Sequence, residues 1–173
     1  MLTDAEREQL CTHLRRSARQ FRQALANLTP AQWTFAPGDG AWPVAGIAEH
    51  LVLIETSVLE KVRSTFDLWP AASEEQRARA PHKDRILLER VPVRGVKAQA
   101  PPHAQPQGRW TAATEAEAAF DGIRGETIAY ALSTAADLRG RVAEHPALKL
   151  LDGYQWLLLW RATRSATSRK WRK

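Results

Sequence analysis

Residues 40–62 read GAWPVAGIAEHLVLIETSVLEKV. Val44, Ile47, Leu51, Ile54, Val58 and Val62 recur at steps of three and four, which places them on one face of a helix. Pro43 suits the first turn of such a helix, and the pattern fades near Trp69-Pro70. His50 lies three residues after Ile47 and four before Ile54. That spacing points its imidazole into the protein with the apolar face. Glu49 and Glu55 flank the same stretch, and their spacing assigns them to the solvated side.

Working outward, Thr3 can cap a first helix carrying Leu10, Leu14, Phe21, Leu25 and Leu28 on one face, which Thr29-Pro30 ends. Residues 29–40, with Trp33, Phe35, Pro37 and two glycines, read as a loop with aromatic anchors. From Pro70 to Arg109 periodicity is lost, and prolines and glycines recur. This predicts one long crossover, with at most a short helix near Asp84–Arg90 and an extended piece at Val91–Val96. A third helix begins near Thr114-Glu115, with Phe120, Ile123, Thr127, Tyr130 and Thr134 inward; Gly140 or Glu144-His145-Pro146 closes it. A fourth follows Asp152 through Tyr154, Trp156, Leu157, Leu159 and Trp160. Four helices of about 20 residues with one long connection predict an all-α four-helix bundle. The bundle should span residues 1–160, followed by a basic helix end or tail at 161–173, with strand content close to nil.

Charge narrows the function classes. The 173 residues carry 25 Lys+Arg against 19 Asp+Glu. Six of the cations (Arg161, Arg164, Arg169, Lys170, Arg172 and Lys173) lie in the last 13 residues, which hold no acid. The bundle itself is therefore neutral, and a basic domain face for nucleic acid is unsupported. No apolar run is long enough to cross a bilayer. The polar start MLTDAEREQL and the single cysteine, Cys11, point to the cytoplasm and exclude an internal disulfide framework.

Chemistry-bearing motifs are sparse. Of five histidines, His50 alone faces a predicted core. An imidazole there is either a satisfied core or rim residue or a metal ligand. His13 reads as a boundary residue, His82 and His103 as solvated, and His145 as a turn residue. The chain has no paired histidines at helical spacing, no Cys-x-x-Cys, no phosphate loop and no serine elbow. Cys11 on a helix reads as inert. The spread of seven tryptophans suggests packing rather than base stacking.

Several segments together resemble the DinB-like family of bacterial proteins. They are Leu28-Thr29-Pro30-Ala31-Gln32-Trp33, Gly40-Ala41-Trp42-Pro43 through Glu49-His50-Leu51, Pro102 to Gly108-Arg109-Trp110, and His145-Pro146-Ala147-Leu148 to Leu151-Asp152-Gly153-Tyr154-Gln155-Trp156. The second is similar to the family's W-S-x-x-x-x-x-x-H-L run, with Pro43 replacing the usual serine. The resemblance implies a four-helix bundle, often a homodimer, holding a divalent metal (Zn, Ni, Fe or Mn) through three histidines. It also implies, for some members, metal-dependent transfer or isomerisation with low-molecular-weight thiols, or hydrolysis. His50 matches the ligand on the second helix. The other two form an H-x-x-x-H pair beginning about seven residues after the tryptophan matched by Trp156.

Here Thr163 and Thr167 occupy that pair. Threonine hydroxyls are poor donors for metals that imidazole suits, and one histidine does not make a three-ligand centre. The chain as written should bind metal weakly or not at all. A one-base shift after Leu159 accounts for the departure. Codons can be chosen for Trp160–Lys173 whose shifted frame reads LARHAKRHLAQMAQ, with histidine codons at positions 163 and 167. The shifted text also ends in a helix-forming, less basic segment. Taken at face value, residues 161–173 offer a non-catalytic alternative, a basic tail for nucleic acid or another anionic partner.

Overall fold

The computed structural model describes residues 1–38, 40–90 and 100–159. Helix α1 spans Asp4–Leu25, opened by a capping box in which Thr3 Oγ1 accepts from the Glu6 amide and the Glu6 carboxylate accepts from the Thr3 amide. It stops before Thr29-Pro30 because Asn27 turns left-handed, at φ 62°. Thr29 instead caps a short α2, Pro30–Thr34, within the stretch expected to be loop; Pro30 sits in its first turn and Gln32 closes a second capping box. Helix α3 spans Val44–Thr65, where the apolar spacing placed it.

The crossover, expected to hold at most a short helix near Asp84–Arg90, carries a longer one. Ser73 and Gln76 cap a 17-residue α4, Glu74–Arg90, which runs through Pro81. Among its described side chains it buries Ala80 and Leu87 alone, and so slight an apolar stripe leaves no helical period to read. The expected extended piece at Val91–Val96 lies outside the described residues. Helix α5, Ala113–Ser133, ends well before Gly140. The Arg7 guanidinium meets the Ala131 and Thr134 carbonyls at 2.6 and 2.8 Å, satisfying the C-terminal turn.

Between α5 and the last helix lies one small hairpin, in keeping with a strand content close to nil. Strands β1 (Val142–His145) and β2 (Lys149–Asp152) pair antiparallel, Val142 opposite Asp152 and His145 opposite Lys149. Asp152 then caps α6, Gly153–Leu158, through the Gln155 amide at 2.7 Å. Gly153 is required there: a β-carbon would lie 2.8 Å from the Phe66 ring. Arg139 fastens this corner, reaching Glu6 on α1, Asp84 on α4 and Asp152 before α6 at 3.0, 2.6 and 2.9 Å.

Helices α5 and α6 each pack on both α1 and α3, giving the all-α, four-cornered core, with α4 against α6. The core has two apolar halves. Leu10, Leu14, Leu59, Val62, Tyr154 and Leu157 fill one. Phe21, Val52, Ala116 and Phe120 fill the other, with the Phe21 and Phe120 rings stacked at 4.0 Å. Between them lies a buried polar layer of Ser17, Glu55, Arg124 and Thr127. The inner face of α5 thus carries Arg124, while Ile123 and Tyr130 are half-buried.

Candidate metal position on helix α3

Two glutamates expected in solvent are buried, Glu49 at 1% and Glu55 at 0% exposure. The buried face of α3 runs Val44, Ala48, Val52, Glu55, Leu59 and Val62. Ile47, Leu51 and Ile54 are only half-buried. The helix is rotated from the apolar-only reading because both carboxylates find fixed donors. Glu55 receives the Arg124 fork, Nε at 2.7 Å and Nη2 at 2.8 Å, and the Thr127 hydroxyl at 3.1 Å. Burial pushes its carboxyl up, and the Arg124 charge pulls against that. Glu49 accepts from the backbone amides of Gln107, Gly108 and Arg109 at 3.0, 2.9 and 3.0 Å.

Those three bonds clamp the end of the crossover onto α3. Gly108 bends with φ 77°, and Pro106 packs where a β-carbon on Gly46 would stand 3.3 Å away. The clamp brings the turn Pro102–Ala104 over His50. His50 Nδ1 donates to the Ala104 carbonyl at 2.7 Å, and its ring lies 5.0 Å from that of Trp42. With the proton on Nδ1, the neutral ring carries its lone pair on Nε2, which has no hydrogen-bond partner among the described residues; this is a tautomer open to a metal-ligating histidine. The ring is half-buried at the edge of the bundle.

The other histidines are dispersed. His13 is half-buried on α1, and His82 is exposed on α4 beside Arg85 at 3.1 Å. His103 is exposed but held, its Nε2 3.3 Å from the Ser57 hydroxyl. His145 closes the hairpin turn, Nδ1 accepting from the Ala147 and Leu148 amides at 3.1 and 3.2 Å. Cys11 is buried, and burial pushes its thiol up. Among the described residues no three His, Cys, Asp or Glu side chains could hold a metal ion together. Positions 163 and 167, the shifted-frame segment and the basic tail lie outside the described residues. The donor set is one imidazole, and the threonines written at 163 and 167 do not fit the three-nitrogen centre that the fold family implies.

A four-cornered bundle with a long crossover, and a half-buried histidine on its second long helix held by the crossover, defines the class of protein. The model of the DinB superfamily matches residues 13–160. The chain belongs to the DinB superfamily. No curated protein and no solved structure matches it. Among the described residues no helix is long and apolar enough to cross a membrane.

Sequence reading missed the clamp by Glu49 and the polar layer around Glu55. The signal was present: Glu49 and Glu55 stand in the mostly apolar N-terminal part of the helix, where acids imply buried partners as readily as solvent.

Proposed function

We propose that this chain is a DinB-type protein whose divalent-metal position is built on His50 Nε2 and is impaired in the chain as written. The class of activity is metal-dependent transfer to or from a low-molecular-weight thiol, or hydrolysis. The observation that carries the reading is the 2.7 Å bond from His50 Nδ1 to the Ala104 carbonyl. That bond fixes the neutral ring with its proton on Nδ1 and leaves Nε2, at the bundle edge, as the lone-pair donor. Thr163 and Thr167, where the family places its paired histidines, supply no matching nitrogen donors, which accounts for the impairment. Elemental analysis of the purified protein, with His50→Ala alongside, tests the proposal. It expects substoichiometric zinc, nickel, iron or manganese. A full equivalent lost on His50→Ala would overturn the impairment, and a full equivalent retained in that variant would overturn the ligand assignment.

One sequence observation favours a second reading: all of the net charge lies in residues 161–173. On that reading the bundle is non-catalytic and holds nucleic acid or another anionic partner through its tail. Binding would then weaken steeply with salt and vanish on deletion of residues 161–173.

A further inference from the structure

At the other end of α3 from His50, hydrogen-bond donors gather with no acceptor among the described residues. Trp156 is 5% exposed, and its Nε1 is buried without a hydrogen-bond partner. Lys61 Nζ lies 4.2 Å from the centre of the Trp156 ring and 5.9 Å from that of Trp69. It has no carboxylate partner among the described residues, and burial alone holds its ammonium below the usual lysine range. The His145 ring stands 5.1 Å from the Trp156 ring. Because His145 Nδ1 accepts from two turn amides, its proton resides on Nε2, a further donor. Lys83, from α4, adds a second positive charge felt at His145.

Such a cluster is electrostatically unfinished. A buried indole N–H without an acceptor has lost its water and gained nothing in exchange. A lysine on an aromatic face keeps its charge, and its four-carbon stem can swing aside. An oxyanion accepting the indole N–H would stand beside the Lys61 stem, whose ammonium can swing to meet it in a charge-assisted bond, with the His145 ring alongside.

We propose that Lys61, His145 and Trp156 form a binding site for a small oxyanion, a carboxylate or a phosphate group, entering beside the Lys61 ammonium to accept the Trp156 indole N–H. Lys61 follows His50 by eleven residues, three turns along the same face of α3 and about 16 Å away. The site stands whether or not His50 holds a metal.

The test is titration of the intact chain with sodium phosphate and with sodium acetate, against sodium chloride at equal ionic strength, following the indole N–H resonance of Trp156 assigned through Trp156→Phe. The site expects a saturable shift of that resonance with phosphate, acetate or both, the responding anion identifying the group it takes. Lys61→Met should weaken the response at least about tenfold, and Lys61→Arg should retain most of it. A resonance that neither anion moves beyond chloride overturns the proposal, and so does an equal response in Lys61→Met. Should Lys61→Met fold poorly, the comparison of phosphate and acetate with chloride on the unaltered chain decides alone.

Discussion

Arg124 and Glu55 meet as a two-pronged ion pair inside the bundle, 2.7 and 2.8 Å apart, at 2% and 0% side-chain exposure. The remaining Arg124 nitrogen donates to the Leu14 carbonyl at 2.6 Å and to the Ser17 hydroxyl. The pair divides the apolar core and ties α1, α3 and α5 to one register. Removing one partner strands a charge, whereas replacing both by apolar side chains removes the desolvation cost. Glu55→Ala should lower unfolding free energy by about 3–5 kcal/mol, and Glu55→Met with Arg124→Met should recover most of that loss. Urea denaturation of the single and double variants measures the coupling; additive losses would contradict it.

Glu49 should govern the crossover rather than the core. Glu49→Gln keeps the shape but removes the charge that three amides share. Hydrogen exchange at Gln107, Gly108 and Arg109 should accelerate together, with a loss of about 1–3 kcal/mol in local opening free energy. Exchange unchanged at all three would show that the clamp is held by packing alone.

The metal position can be restored by design. Thr163→His with Thr167→His should raise zinc or nickel binding to about one equivalent through the completed three-nitrogen set. A further His50→Ala should abolish it. Binding retained without His50 would place the metal elsewhere. Independently, the DNA from the codon for Leu150 onward should contain the overlapping histidine codons of the shifted frame, and their absence removes that account of the tail.

His145 should make stability fall on mild acidification. Its burial, and then the charges of Lys61 and Lys83, hold its imidazole below the ordinary value of 6.5. Between that value and its own, the unfolded chain takes up a proton that the folded chain refuses. Stability conferred by the neutral ring is therefore lost as pH falls through the window. Protonation at Nδ1 would also break both turn bonds. Lys61→Met should raise the His145 titration midpoint, read from its ring resonances, and shrink the acid loss. An unmoved midpoint would show that Lys61 does not reach it.

The long helices were legible because their apolar residues repeat with the helical period: α1 and α3 lie where Leu10, Leu14 and Phe21, and Val44, Val58 and Val62, place them. The short elements were not. Among its described side chains helix α4 buries two, and the hairpin corner is fastened by Arg139 to Glu6 and Asp84, residues far apart in sequence. His50 could be singled out from its place between Ile47 and Ile54. Its tautomer could not, because the carbonyl that fixes it lies 54 residues away.

Sequence alone settled the helical class and the family, since each depends on residue type at fixed spacing. Which way α3 turns was decided only by the folded chain. Glu49 and Glu55 look like surface residues until the amides of residues 107–109 and the guanidinium of Arg124 are brought against them, and partners so distant along the chain leave no local periodicity. The same holds for the donors around Trp156, which α3, β1 and α6 assemble by packing.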